Sequence, residues 1–188
     1  MLMRIIAGEA KGRRLFAPPG MDTRPTTDRV RESLFAILTP RLDQAVVLDL
    51  FAGSGALALE ALSRGAQWAA LCDSSPAAIR AIRRNLSLAG FEARAQVLPG
   101  DWRGALRRLQ GRRFDLVFLD PPYRQTQLYG QAMEAREAAG LLAPDALVVM
   151  ERLSKCAVET PPGFQVVDSR RYGDTSVDLA RKEAGQCG

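Results

Sequence analysis

Between residues 46 and 150 the chain alternates between short apolar runs and helical stretches, and few folds accommodate that rhythm. Val46–Leu50, Trp68–Cys72, Ala95–Leu98, Phe114–Leu119 and Ala146–Met150 read as strands, with Ala56–Arg64, Pro76–Leu88, Trp102–Leu109 and Leu128–Ala138 as the helices between them. Each apolar run is the length of a buried strand, and turn-forming residues separate the elements. Strands joined through helices run parallel, and such a sheet is covered on both faces. The tail breaks the pattern. Phe164–Val167 and Ser176–Leu179 flank Tyr172-Gly173-Asp174 with no room for a helix, so an antiparallel last strand is expected. The expected fold is α/β and Rossmann-like: a mostly parallel seven-stranded sheet ending in an antiparallel strand.

Ahead of the alternation lies a different kind of segment. Met3–Ala7 and Arg13–Phe16 flank Gly8-Glu9-Ala10-Lys11-Gly12 as a hairpin, and Ala17-Pro18-Pro19-Gly20 then breaks the chain. Thr27 or Asp28 can cap a helix over Val30–Leu38, with Val30, Leu34, Ile37 and Leu38 on one face, Arg29 and Arg31 off it, and Pro40 as its end. The expected division is a basic N-terminal extension (1–41), a nucleotide-binding domain (42–183) and a short tail (184–188).

Charge is concentrated in the extension. Residues 1–41 hold eight Lys/Arg against four acids, which accounts for most of the net +5 of the 188-residue chain. Arg4, Lys11, Arg13 and Arg14 form a basic arm suited to a polyanion such as RNA, because phosphate neutralisation releases counterions. An arm of this kind is expected to be separable from the cofactor site.

There is no histidine, which removes Ser-His-Asp triads, His-ligated metals and imidazole acid–base chemistry. Cys72, Cys156 and Cys187 have no CxxC spacing, so neither a zinc site nor a disulfide framework is indicated. No metal is expected. The opening residues do not form a signal peptide and no apolar run approaches a membrane span, so a cytoplasmic location is expected. With no heptads, a monomer is expected.

The first strand leads into Asp49-Leu50-Phe51-Ala52-Gly53-Ser54-Gly55, a glycine-rich strand-to-helix turn whose backbone can approach a ligand. Gly53-Ser54-Gly55-Ala56-Leu57-Ala58 satisfies the loose dinucleotide pattern, so NAD competes for this motif. Asp49 weighs against it, because a carboxylate beside the turn repels a pyrophosphate but attracts the ammonium and sulfonium of S-adenosylmethionine. Asp73, 20 residues after Gly53, can accept from ribose hydroxyls, and Asp101 can accept from an adenine amino group. Phe51, Ser74 and Trp102 stand beside these acids and complete the cofactor-binding candidates.

The fourth strand ends in Asp120-Pro121-Pro122-Tyr123. Two prolines stop the strand and leave a carboxylate and an aromatic ring at its C-terminal edge, where α/β sheets bind ligands. An exocyclic amine on a nucleobase is a poor nucleophile because its lone pair is delocalised into the ring. Asp120 and the carbonyl of Pro121 can accept its two N–H bonds and turn the lone pair toward a methyl donor. Asp120 then stabilises positive charge where it develops, while Tyr123 stacks on an extruded or unpaired base.

These motifs resemble the class I S-adenosylmethionine-dependent amino-methyltransferases. Arg4-Ile5-Ile6-Ala7-Gly8 and Arg24-Pro25-Thr26-Thr27-Asp28-Arg29-Val30-Arg31-Glu32 narrow the resemblance to the RsmD family, bacterial enzymes that methylate N2 of a guanine in small-subunit (16S) ribosomal RNA. The resemblance covers about Met3 to Lys182. It implies a class I methyltransferase fold, an assembling small subunit as the partner and S-adenosylmethionine as the cofactor. It also implies that Arg24, Thr26 and Arg29 lie near the mouth of the site, facing cofactor or RNA. The turn Glu9-Ala10-Lys11 departs from the family, which more often has an aromatic at the Ala10 position. The alternatives are a DNA or RNA adenine-N6 methyltransferase, a protein glutamine methyltransferase, an NAD-binding oxidoreductase, and a non-catalytic RNA-binding or assembly protein.

Overall fold

A computed structural model describes residues 3–19, 28–121, 127–138, 140–156 and 160–183. Nine strands and five α-helices are assigned among them, in chain order β1 (Met3–Arg4), β2 (Arg14–Leu15), α1 (Asp28–Leu38), β3 (Val46–Asp49), α2 (Ala56–Ser63), β4 (Trp68–Asp73), α3 (Pro76–Ala89), β5 (Ala95–Pro99), α4 (Trp102–Arg108), β6 (Phe114–Leu119), α5 (Gln127–Ala138), β7 (Leu142–Leu153), β8 (Phe164–Tyr172) and β9 (Thr175–Lys182).

Seven strands form one sheet in the order β5-β4-β3-β6-β7-β9-β8. The five strands from β5 to β7 are parallel, and β9 inserts antiparallel between β7 and β8. This is the class I methyltransferase arrangement, with the antiparallel last strand expected from the sequence. From β3 the chain winds outward through β4 to β5, then returns to β6 on the other side. The reversal leaves a crevice between the C-terminal ends of β3 and β6, the usual ligand position in such sheets.

The helices divide between the two faces. Leu34, Phe35 and Leu38 of α1, Leu59 and Leu62 of α2, and Ile79 and Ile82 of α3 pack on one face with Val47 and Leu71. Trp102 and Leu106 of α4 and Tyr129 and Met133 of α5 pack on the other with Leu48 and Val117. Because both faces are covered, β6 needs apolar side chains on both, and Phe114, Leu116, Val117, Phe118 and Leu119 are all buried.

The N-terminal segment is not a free arm. Met3, Ile5, Ala10 and Leu15 belong to the same core as α1 and α2. Every residue of α2 from Leu57 to Ser63 is buried, because the sheet covers one side of this helix and the N-terminal hairpin the other. Burial of Glu60 follows, and its carboxylate takes the N–H groups of Ile6 at 2.7 Å and Ala7 at 3.0 Å and the Arg64 guanidinium at 2.7 Å. Ladder pairing in the hairpin is therefore shorter than the sequence implies: Ile6 and Ala7 turn to Glu60 instead of to an opposite strand. Gly8, at φ +84°, passes so close to α2 that a Cβ would lie 1.8 Å from the carbonyl oxygen of Ser63.

Arg31 corrects a second expectation. Placed by periodicity on the polar side of α1, it is 1% exposed. Its guanidinium donates to Asp28 at 3.0 Å and to the carbonyl of Arg4, and lies 3.9 Å from Glu60. Burial lowers its pKa, against the raising effect of Glu60 and Asp28. The hairpin makes a second buried surface for α1 that the helix period alone does not reveal.

Candidate active site

The glycine turn is held from two sides. Gly53 and Gly55 have φ of 56° and 79°, in the left-handed region that L side chains avoid. A Cβ on Gly55 would lie 3.0 Å from Leu71 and 3.1 Å from Leu59, so strand and helix pack across this position. The N–H of Gly53 donates to Asp73 at 2.8 Å, and the N–H of Ser75 donates to the other carboxylate oxygen of Asp73 at 2.8 Å. From the opposite side, the buried amide of Asn85 donates to the carbonyl of Ser54 at 2.8 Å.

Asp49 ends β3 and is 1% exposed. Its Oδ1 has no hydrogen-bond partner among the described residues. Burial, helped by the nearby charge of Asp73, pushes its pKa up to about 7, although hydrogen bonds from the backbone of Phe51 and Ala58 oppose the shift. A buried, half-satisfied carboxylate is costly to a fold, and either a proton or a cationic group relieves it.

Asp120 stands across the crevice. Asp49 pairs with Phe118 in the register of β3 and β6, so Asp120 lies two residues beyond that pair on the adjacent strand. Burial, then the charges of Glu151 and Asp49, raise the Asp120 pKa well above the ordinary carboxylate range. Pro121 is buried behind it. Pro122 and Tyr123 lie outside the described residues.

Sequence reading missed Glu151. Leu119 pairs with Met150, which sets Glu151 of β7 level with Asp120 just past β6. It is buried, and its backbone carbonyl accepts the hydroxyl of Tyr129. The signal was present: Glu151 follows an apolar strand as Asp49, Asp73 and Asp120 do.

Asp101 lies at the far side, exposed, where it accepts from the N–H of Gly104 at 3.0 Å and caps α4. That hydrogen bond, more than the neighbouring Arg107 and Arg103, lowers its pKa. Phe51 is half-buried beside the turn, Ser74 is exposed at the start of the next, and Trp102, the first residue of α4, is buried with the Arg103 guanidinium 4.2 Å from its ring. The structure thus brings Asp49, Phe51, Gly53, Gly55 and Asp73 together around one turn, with Asp120 across the crevice and Asp101 and Trp102 at the β5 edge. Arg4, Lys11, Arg13, Arg14 and Arg29 are all exposed. Arg24 and Thr26 lie outside the described residues.

Residues 3–181 match the model of a family described as conserved hypothetical protein 95. Ribosomal RNA small subunit methyltransferase D of Escherichia coli strain K12 is 37% identical over 183 residues, which span 97% of this chain and 91% of that protein. The chain belongs to the RsmD family. The RsmD-family protein of Haemophilus influenzae (strain Rd), also named ribosomal RNA small subunit methyltransferase D, is 35% identical over 179 residues, 94% of this chain and 92% of that one. Among solved structures, yhhF from Escherichia coli superposes with a TM-score of 0.85 at 34% identity, covering 98% of this chain and 99% of that chain. The N-terminal segment is thus part of the RsmD likeness, not an addition to it.

Proposed function

We propose that this chain transfers a methyl group from S-adenosylmethionine to the exocyclic N2 amino group of one guanine in 16S ribosomal RNA, acting on a partly assembled small subunit. The observation that carries the reaction class is the pair of strand-end carboxylates, buried Asp49 and half-buried Asp120, on adjacent strands at the crevice. Membership of a family whose relatives are named for small-subunit ribosomal RNA supports the substrate.

The residues fit the cofactor. The unpartnered Oδ1 of Asp49 calls for a positive group, whereas the pyrophosphate of a dinucleotide would add a second anion beside it. Gly53 and Gly55 give the backbone access to the ligand. Each oxygen of Asp73 has taken one N–H bond and keeps lone pairs for ribose hydroxyls. Asp101, with one oxygen on the α4 cap, has acceptor capacity for an adenine amino group.

Bound S-adenosylmethionine supplies an electrophilic methyl group on a sulfonium centre. Asp120 and the Pro121 carbonyl accept the two amino hydrogens of the guanine and hold its nitrogen in line with that methyl. During transfer Asp120 would stabilise the positive charge that develops on the guanine nitrogen. The nitrogen then releases a proton, and the raised pKa of Asp120 makes this carboxylate a better acceptor than an ordinary aspartate. No histidine is required. Tyr123 supplies the stacking surface for the base.

Equilibrium titration with labelled S-adenosylmethionine and with NADH tests the cofactor half of the proposal. Saturable binding of the first and none of the second is the expected result, and the reverse would restore the oxidoreductase reading.

A further inference from the structure

Outside the crevice, several arginines are held in ion pairs. Arg94 pairs with Glu9, Arg152 with Asp178, Arg170 with Asp168, and Arg31 and Arg64 with Glu60. One face is different. Helix α3 carries Arg80, Arg83 and Arg84 and no acidic residue, and all three arginines are exposed. Their spacing puts them on one side of the helix, opposite the buried Ile79, Ile82 and Leu86.

The hairpin extends this face. Both polar groups of the Phe16 backbone bond the Asn85 side chain, N–H to Oδ1 at 2.8 Å and carbonyl from Nδ2 at 2.9 Å, so the chain leaving β2 lies along α3. Lys11, Arg13 and Arg14 are exposed just before it. No ion pair joins any of these six cations to a carboxylate among the described residues. The Phe16 ring is 40% exposed, and the Arg84 guanidinium lies over it, 3.4 Å from its centre. An aromatic ring of this exposure is a packing loss for a monomer. Here the ring contact helps to fix where the Arg84 guanidinium sits, as a donor for a phosphate.

We propose that α3 is part of the RNA-binding surface: Arg80, Arg83 and the Phe16-supported Arg84 join Lys11, Arg13 and Arg14 in one basic face that holds the ribosomal RNA backbone. The inference rests on the RNA substrate proposed above. It adds a contact surface within the nucleotide-binding domain itself, beyond the N-terminal segment. The face also adjoins the crevice, since α3 begins three residues after Asp73 and its Asn85 bonds the glycine turn at Ser54. Like charges at positions 80 and 84 repel one another in the free protein, and a polyanion removes that repulsion.

The test is a triple variant, Arg80→Gln, Arg83→Gln and Arg84→Gln, compared with the unaltered chain. Binding to 16S ribosomal RNA is measured across a salt series, with S-adenosylmethionine affinity and thermal unfolding as controls for folding. Roughly tenfold or more weaker RNA binding is expected at moderate salt, with a log–log salt slope shallower by about 2, because three phosphate contacts are lost. Cofactor affinity is expected to stay unchanged, and methyl transfer to regain its full rate at saturating RNA. Phe16→Ala should reproduce part of the loss. Equal RNA affinity and salt slope in the triple variant, with the unaltered chain binding RNA normally, would overturn the α3 surface while leaving the substrate proposal standing. Unchanged RNA binding combined with lost activity on assembled subunits would also overturn it, in favour of an acidic protein partner. Absence of binding by the unaltered chain to both free 16S ribosomal RNA and small subunits lacking the modification would overturn both.

Discussion

The side chain of Asn85, wholly buried in α3, donates one amide hydrogen to the carbonyl of Ser54 at 2.8 Å and the other to the carbonyl of Phe16 at 2.9 Å. One residue therefore ties the glycine turn of the crevice to the strand that leaves the N-terminal hairpin. Its oxygen accepts the N–H of Phe16 as well, which leaves little of its hydrogen-bonding capacity unused.

Removing this amide should loosen both ends. Asn85→Ala leaves the Ser54 carbonyl and both Phe16 backbone groups without their partner, at a cost of about 2–4 kcal/mol. Thermal unfolding should shift down, and S-adenosylmethionine binding should weaken by more than the fraction of unfolded protein explains. Unaltered cofactor affinity in the folded variant would show that Asn85 does not hold the turn.

The N-terminal hairpin is expected to be indispensable for folding. Deleting residues 1–18 strips Glu60 of the Ile6 and Ala7 N–H groups and exposes the outer side of α2. Glu60 keeps the Arg64 guanidinium but loses both backbone donors, and each lost hydrogen bond to a buried charge costs about 1.5–3 kcal/mol. The truncated chain should be insoluble or unfolded instead of merely weak in RNA binding. Gly8→Ala probes the same contact with one atom, since that Cβ collides with Ser63. A well-folded truncation with normal cofactor affinity would contradict this.

Asp49 carries a conflict between stability and binding. With its pKa raised from 3.8 to about 7, the folded protein holds a proton there that the unfolded chain releases. Stability from this group is thus lost as pH rises between those values. Cofactor affinity runs the other way, because only the ionised carboxylate attracts a cation. Asp49→Asn should raise the stability of the free protein at neutral pH, on the order of 1–3 kcal/mol, and abolish S-adenosylmethionine binding. Calorimetry of the unaltered chain near neutral pH should detect proton release on cofactor binding, through a dependence of the observed heat on the buffer's ionisation enthalpy.

Much of this was legible in the chain. The alternation of strands and helices defined the sheet, and the aspartates at strand ends defined the crevice. These features survive in sequence because each depends on residues close together along the chain. Arg31, Glu60 and Glu151 were harder to read. Arg31 is apparently polar-faced in α1 but is buried by a hairpin about 27 residues upstream. Glu60 is a lone acid in an otherwise apolar helix, and such a helix is one covered on two sides. That was the available clue to the docked hairpin. Glu151 follows the apolar run Ala146–Met150, but its place level with Asp120 depends on the register of β6 against β7, which no local pattern encodes.

Asp120 should separate binding from chemistry. Asp120→Ala is expected to keep S-adenosylmethionine affinity close to that of the unaltered chain, while methyl transfer falls by about 10²–10³ or more. Single-turnover assays with saturating RNA measure this directly. Undiminished transfer would remove Asp120 from the mechanism.

The most direct test of the proposed function is methyl transfer from labelled S-adenosylmethionine to small ribosomal subunits that lack the modification, followed by digestion to nucleosides. N2-methylguanosine at a single position, absent with Asp120→Ala, is the predicted product. Label on adenine, or on ribosomal protein instead of RNA, would contradict it.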